Sequence, residues 1–548
     1  MMPHLEFSCG CKFPLNGEET SFNPDIESLP LNCTKTWELI GDGNTKGCFQ
    51  LESRLGQSLS KRTKPRNIDE LAALVSIMRP GCMEAMVEGK SLTNHYIDRK
   101  HGKESVDYFH PSLKEILKET YGILVFQEQS MQIAQKIANF NLQEADILRK
   151  AIGKKKTGEM SKVKKMFLKG AEKSGIVNKE QAEEIFSWIE KSQRYSFNKS
   201  HAVSYAVNAY LSAYSKAHFS KEFFTSYLYF SKEKQKPHEE INELVNNARL
   251  MNIDVYPPDL RKLNSNFKLS DDNIYFGISD IKGVGTAVIK KIEKEIKEVS
   301  LILKKELEVW SWLESLAFFC TRVNSAAMKA MISVGAMSFI NSNRTKMLYE
   351  YDIVSSFTNK EIEWVRNFLL ENEDRKHMDV IDMMNLMLEQ PVGRSGAIAN
   401  KKRLEVVKSI AQSLQSPPYE LEDGPEWVAS KEEFLLGIPV TCTRIDACDT
   451  SSANATCRDI VNRNAGEVPL VAVQLDSIRQ VQVKNGPSRG EEMAFMSVSD
   501  STCALDCVIF PENWRAYKDL LTEGNTLMLS GTLDKKKESF IVQKVWQI

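Results

Sequence analysis

Two stretches of this 548-residue chain concentrate side chains suited to holding a polyanion. The first, "EADILRKAIGKKK" from Glu144 to Lys156, sets Arg149, Lys150, Lys154, Lys155 and Lys156 on adjacent helical turns. There Arg offers a planar fork, and Lys a point charge, to phosphate oxygens. The second, "RYSFNKSHAVSYA" from Arg194 to Ala206, puts the donors Asn198, Lys199, Ser200 and His201 in a row, with Tyr195, Phe197 and Tyr205 able to stack on a base or sugar. Together they suit a triphosphate. Taken alone, the plainer reading is a solvated basic helix end favoured by the helix dipole, and a core histidine at His201. From Arg149 to His201 there are fourteen Lys or Arg against six Asp or Glu, in a chain of net charge −1 and pI about 6.7. A basic block inside a neutral chain is the footprint of one dedicated anionic site.

A third segment, "IKGVGTAVIKK", is a Gly283-Val284-Gly285 turn opening a helix. Backbone amides of such a turn can meet a phosphate, with Lys282, Lys290 or Lys291 reinforcing the contact; the alternative is a simple helix start after a hairpin. Divalent-ion chemistry needs closely set carboxylates. Asp25 and Glu27 are isolated, and Asp379 and Asp382 fall in "HMDVIDMMNLM", an ordinary amphipathic pattern, so no metal set is expected in the chain. His4, Cys9 and Cys11, with Cys33 the nearest further ligand, match no standard zinc spacing, and free thiols are the expectation.

The elements that must position these residues follow from periodicity. From Thr34 to about Phe230 apolar residues recur at three and four, as in "EQSMQIAQKIANF" and "NKEQAEEIFSWIEKS", which predicts helices. The first 35 residues, rich in Gly and Pro, read as an irregular lead-in. "DVYPPDL" favours extended chain, and "FKLSDDNIYFGI" predicts a hairpin turning near Asp271 to Asn273. Helices resume from Val309 to about Glu389 and from near Lys402 to Pro417, and Cys442 to Glu467 reads as a polar linker. From Pro469 the period drops to two over five strands, with a short helix, "NWRAYKDLL", before the fourth, which suggests a small barrel of the OB type. Within it Phe495, Phe510 and Trp514 are the aromatics that could stack on single strands, although alternating strand residues are more often core.

The length exceeds what one hydrophobic core supports, so several domains are expected. Composition, 42% hydrophobic and 26% charged, is that of a soluble protein, and no apolar run approaches the ~20 residues of a membrane span. Eleven scattered cysteines and a start without a secretory pattern fit a reducing cytoplasm, bacterial or of an infected host.

Seven blocks in order, "TWELIGDGNTKGCFQLES", "LAALVSIMRPGCM", "HYIDRKHGKE", "TYGILVFQEQSMQIAQKIANF", "EADILRKAIGKKK", "GAEKSGI" and "RYSFNKSHAVSYA", resemble the fingers of the bacterial C-family replicative DNA polymerases, the DNA polymerase III alpha type. "PPDL", "NIYFGISDIKGVG" and the terminal barrel resemble that family's downstream portions, and the likeness is densest from about Thr36 to Gly285. The resemblance implies a multidomain α+β chain. It would comprise the lead-in (1–35), helical fingers (36–230), a hairpin and helix-hairpin-helix region (231–345), a helical region (346–441), the linker (442–468) and an OB-fold (469–548).

It implies further that Arg149, Lys150, Lys154, Lys155 and Asn198 to His201 grip an incoming dNTP, and that Arg79 of the "RPG" turn and Gln127 of the "QEQ" block line the site. For Arg79 the alternative is a loop-anchoring ion pair, for Gln127 a helix-cap or core amide; Glu128 reads as structural. The family's palm aspartates, which hold two Mg2+ ions for phosphoryl transfer, are not recognised here. The expectation is therefore half an active site, with the palm and its Mg2+ ligands on a separate subunit, a split suited to a viral or mobile genome. Primer-template DNA and dNTP are the implied partners, with a sliding clamp a further one whose docking motif has no clean copy, "AQSLQSPPYEL" being nearest. The alternative is a non-enzymatic DNA-binding replisome module.

Overall fold

Every residue from Leu71 to Ile77 is buried, which makes this short helix the axis of the N-terminal part of the protein. The computed structural model describes residues 4–6, 12–14, 29–154, 157–192, 195–319, 322–375, 377–390, 398, 400–534 and 539–548, with backbone alone at 4–6, 12–14, 152–154, 157–159 and 373. The chain divides into two compact units, Met1–Phe223 and Phe224–Ile548.

The first unit contains α1 (Thr34–Gly41), α2 (Arg54–Thr63), α3 (Ile68–Ile77), α4 (Pro80–Glu84), α5 (Leu92–Lys100), α6 (Lys114–Leu117), α7 (Gln127–Ala138), α8 (Leu142–Lys154), α9 (Thr157–Ser174), α10 (Lys179–Ser192) and α11 (Lys199–His218). Its helical character matches the apolar period. The lead-in differs from expectation: His4–Glu6 pairs antiparallel with Lys12–Pro14, because extended backbone pairs through its own N–H and C=O groups without an amphipathic pattern. Helix α11 lies along α3 through the stripe Ala202, Ala206, Ala209, Ala213 and Ala217, all buried. Small side chains at three- and four-residue spacing let the two axes approach closely.

Helices α6 to α10 share a separate core that includes Leu124, Ile133, Ile137, Leu148, Phe167, Phe186 and Ile189. A Cβ on Gly170 of α9 would lie 2.1 Å from the carbonyl oxygen of Ala138, so glycine is required where α9 crosses the end of α7.

Near α5, Glu104 accepts from Arg99 Nε at 2.6 Å on Oε1 and from Lys90 Nζ at 3.1 Å on Oε2, and His95 Nδ1 lies 2.8 Å from Oε1 and 2.9 Å from Oε2. Burial alone would push the Glu104 carboxyl up, but the hydrogen bonds from Arg99, His95 and Lys90 outweigh it and hold the group at about 2, below its ordinary 4.5. A depressed carboxylate stabilises the fold above the unfolded value, and that stability is lost as pH falls through the folded one. Parent protein is therefore expected to lose roughly 1–2 kcal/mol from this group between pH 4.5 and 2, solvent screening included. Melting temperature against pH should fall less steeply for Glu104→Gln across that window; parallel curves would refute the assignment.

The second unit begins within the helix Ser220–Phe230, which is followed by the helix Pro237–Leu250 and a three-stranded sheet in which Asn273–Tyr275 pairs parallel with Val255–Tyr256 and antiparallel with Lys268–Ser270. The hairpin turns at Asp271 and Asp272, both at positive φ, where the sequence predicts it. An 18-residue helix, Thr286–Leu303, follows the Gly283-Val284-Gly285 turn. Further helices run from Trp312 to Leu388 and from Lys401 to Leu436.

The C-terminal strands β1 (Leu470–Gln482), β2 (Glu492–Ser499), β3 (Ala504–Ile509), β4 (Thr526–Leu533) and β5 (Phe540–Gln547) close a barrel in the order β3-β5-β4-β1-β2. All neighbours are antiparallel except β3 and β5, and the helix Pro511–Tyr517 precedes β4, which is the OB arrangement. The stretch expected as a linker departs from that reading. Cys457–Val461 is a short helix begun by Thr456, and Cys457 and Ile460 are buried with Val471, Met496 and Leu505 in the barrel core. Two apolar residues one turn apart suffice to close a small barrel's end, too few to register as a period.

Candidate nucleotide and DNA interfaces

Three separate segments meet at Phe197. Phe197 N–H donates to Val125 C=O and Gln127 N–H donates to Phe197 C=O, each at 2.9 Å, a single parallel bridge that joins the start of α7 to the start of α11. Arg79, the residue preceding α4 and exposed, lays its guanidinium 3.8 Å from the Phe197 ring centre. Glu128 ties the same junction from α7: it accepts from Asn198 Nδ2 and from Lys199 N–H, both at 2.8 Å. Asn198 Oδ1 in turn caps α11 by accepting from His201 N–H at 2.9 Å and from Ser200 Oγ at 3.0 Å. Arg79, Ser200 and His201 are thereby exposed beside one another's segments, with Gln127 partly buried.

From Phe197 a row of rings continues along α11. Phe197 and His201 have centroids 5.4 Å apart, His201 and Tyr205 4.2 Å, and Tyr205 and Phe49 5.1 Å. Residues 197, 201 and 205 share a face because they are four apart. Phe49 arrives from the loop after α1, held by its N–H to Ser212 Oγ at 2.9 Å. Buried Lys216 supports that loop, donating from Nζ to the carbonyls of Asn44 at 2.9 Å and Lys46 at 2.7 Å, and burial lowers its ammonium to about 8. Tyr195 is partly covered, and burial pushes its hydroxyl up, with Cys82 nearby pushed to about 12, also by burial.

Lys199 turns away from a free role, pairing with Glu119 at 2.8 Å above the Phe126 ring. On α8, Ala145, Leu148 and Ala151 face the core, so Asp146, Arg149 and Lys150 face outward. Arg149 and Lys150 both pair with Asp146, at 2.8 and 2.7 Å, and these hydrogen bonds hold the Asp146 carboxyl below its ordinary range. Among the described residues no hydrogen bond, ion pair or ring contact joins Arg149 or Lys150 to the Phe197 junction. Lys154 is described by backbone alone at the end of α8; Lys155, Lys156 and Arg194 lie outside the described residues.

In the second unit the turn before the helix Thr286–Leu303 has its two glycines exposed and Val284 buried. Gly283 sits at φ +87 with open space where a Cβ would be, and Gly285 is equally open. Lys282, Lys290 and Lys291 are exposed around it. The turn is anchored by Lys282 N–H donating to Leu435 C=O at 2.8 Å. On the barrel, Phe495 and Phe510 are exposed, with Arg479 over the Phe495 ring at 5.5 Å, whereas Trp514 is buried.

Among the described residues, the carboxylates singled out in the sequence are not gathered into a divalent-ion site. Asp379 precedes the helix Val380–Leu388 and stands 3.8 Å from Lys346, Asp382 is exposed on that helix, and no described group of three or more His, Cys, Asp or Glu is placed to hold a metal. Cys33 Sγ meets His218 Nε2 at 3.2 Å, while Cys9 and Cys11 lie outside the described residues. No described helix is long and apolar enough to cross a membrane.

Sequence reasoning missed Phe49, Glu119 and the support from Lys216. Each meets its partner across 80 to 172 residues of chain, beyond any local period.

The chain thus combines a helical unit, a glycine turn opening an 18-residue helix, and a closed barrel of the OB type. The model of the bacterial DNA polymerase III alpha subunit finger domain matches residues 15–175, a helix-hairpin-helix motif matches residues 252–347, and an OB-fold nucleic acid binding domain matches residues 471–546. The DNA polymerase III subunit alpha of Aquifex aeolicus (strain VF5) is 30% identical over 528 residues, 94% of this chain and 39% of that protein. That of Staphylococcus aureus (strain Mu50 / ATCC 700699) is 29% identical over 524 residues, covering 95% and 43%. That of Borreliella burgdorferi (strain ATCC 35210 / DSM 4680 / CIP 102532 / B31) is 30% identical over 541 residues, covering 96% and 42%. This chain belongs to the DNA polymerase III alpha subunit family through its finger, helix-hairpin-helix and OB-fold regions. It spans about two fifths of the length of these relatives.

Proposed function

We propose that the chain acts in DNA replication as the fingers and DNA-holding part of a template-directed DNA polymerase, a nucleotidyltransferase that takes dNTP and primer-template. The observation that carries this reading is the junction at Phe197. Arg79 and Gln127, within the matched finger region 15–175, and the start of α11 at Asn198 to His201, beyond it, converge around the Phe197 ring. Arg79 and His201 meet the triphosphate or its base there. Asn198 and Glu128 hold the start of α11 in place, Arg149, Lys150 and Lys154 add positive charge from α8, and Lys155, outside the described residues, follows them in the sequence.

The Gly283-Val284-Gly285 hairpin with Lys282 and Lys290 holds duplex backbone, and the barrel's Phe495 and Phe510 offer stacking for a single strand. The palm belongs to a separate subunit, whose carboxylates bind the Mg2+ ions that activate the primer hydroxyl and steady the leaving pyrophosphate. The three fifths of each relative outside the match leave room for such a palm. The assembly works in the cytoplasm, and a sliding clamp is a further partner.

Primer extension with magnesium and four dNTPs, on the chain alone and mixed with a palm-bearing subunit, tests this. Activity only in the mixture, reduced tenfold or more by Arg79→Ala, is expected. Activity of the chain alone would overturn the split, and intact DNA binding with no extension in either sample would favour the non-enzymatic module.

A further inference from the structure

Outside the Phe197 junction, the exposed aromatic whose surroundings say most is Phe434. It stands near the C-terminal end of the helix Pro425–Leu436, 64% exposed, while Leu435 and Leu436 beside it are buried. The neighbouring buried leucines fix the helix's rotation, so Phe434 is held outward by packing. Two contacts bind it to a turn some 150 residues earlier in the chain. The carbonyl of Leu435 accepts from Lys282 N–H at 2.8 Å, and the Lys282 ammonium lies 4.1 Å from the centre of the Phe434 ring.

Lys282 has no carboxylate partner among the described residues, and Glu433, the acid next to Phe434, is committed to Arg444 at 2.8 Å. The ammonium thus meets the ring without an acid beside it, in a turn whose Gly283 and Gly285 have open space where a Cβ would stand. A lysine side chain is ordinarily free to sample many rotamers, and ordering it on a phosphate costs entropy. An aromatic face attracts the ammonium through its quadrupole and limits that sampling, leaving N–H donors free to point elsewhere.

We infer that Phe434 is a positioning residue of the hairpin's DNA interface: its ring holds the Lys282 ammonium toward the site where the free amides at the start of the helix Thr286–Leu303 would meet a duplex phosphate. This rests on the hairpin reading given above. The ligand class is the sugar-phosphate backbone of double-stranded DNA, contacted without regard to sequence.

Binding of the full chain to a fluorescently labelled, mixed-sequence duplex, measured by anisotropy over a range of salt concentrations, tests the inference. Lys282→Ala should weaken binding several-fold and reduce the slope of log affinity against log salt by about 0.9, one phosphate contact. Phe434→Ala should weaken it about two- to fivefold, Phe434→Tyr should match the parent, and the double variant should bind no worse than Lys282→Ala alone. Parent-like binding by Phe434→Ala, or losses that multiply independently in the double variant, would overturn the inference. If Lys282→Ala and Lys290→Ala both leave binding unchanged, the hairpin reading itself has failed; if both weaken it and Phe434→Ala does not, only the role of Phe434 falls. An unchanged melting temperature for each variant shows that the fold persists.

Discussion

Glu128→Ala is expected to lower nucleotide incorporation by the reconstituted polymerase about 100-fold, with much of the loss in KM for dNTP. The carboxylate touches no predicted substrate atom. It fixes where α11 begins, through Asn198 Nδ2 and Lys199 N–H at 2.8 Å each. Without it the cap at Asn198 loses its second tether, Lys199 N–H loses its acceptor, and Ser200 and His201 drift relative to Arg79. Catalytic geometry is steep in such displacements, and a shift near 1 Å can cost about two orders of magnitude. Glu128→Gln keeps one acceptor for Lys199 N–H but sets an amide NH2 against the Asn198 amide, so an intermediate loss is expected. Steady-state primer extension at varied dNTP decides it, with circular dichroism to show that the helices remain. A KM within twofold of the parent for Glu128→Ala would remove the junction from the nucleotide site.

The second large effect is on stability. Glu432, fully buried, pairs with Arg344 Nη1 at 2.8 Å and accepts from the N–H groups of Val440 at 2.6 Å and Thr441 at 2.7 Å. Arg344, itself buried, also donates to Ser333 C=O at 3.2 Å and Thr441 Oγ1 at 3.0 Å. Removing one member of a buried pair leaves the other charged and dry, so Glu432→Ala should cost ~3–5 kcal/mol in the second unit. Replacing both, Arg344→Met with Glu432→Leu, should cost clearly less, because no charge is then stranded. Urea unfolding of the parent and both variants gives the comparison; equal losses would show that the carboxylate's backbone contacts, not the ion pair, carry the effect. Glu432 lies three residues before the carbonyl that holds Lys282, so Glu432→Ala should also weaken duplex binding.

Much of this architecture was legible beforehand wherever a segment's own pattern decided its structure. The five barrel strands set alternate residues on the core, such as Val471, Val473 and Leu475, and that period survives in the amino-acid order even where the outer face is also covered, as at Ala472 and Met528. The Asp271-Asp272 turn was readable because residues of that type tolerate positive φ. The basic run on α8 was equally plain, and so was its helix, since Ala145, Leu148 and Ala151 recur at one face.

The sequence by itself thus determined most of the elements and the family resemblance. Only the tertiary structure decided which of those residues meet. It put Arg79 on Phe197 and Phe49 on Tyr205, spent Lys199 on Glu119, and folded Cys457 and Ile460 of the expected linker into the barrel. The physical reason is one of range. Periodicity reports which face of a segment is buried, whereas a contact between residues 79 and 197, or 282 and 434, depends on how whole helices pack and leaves no mark in either segment's spacing.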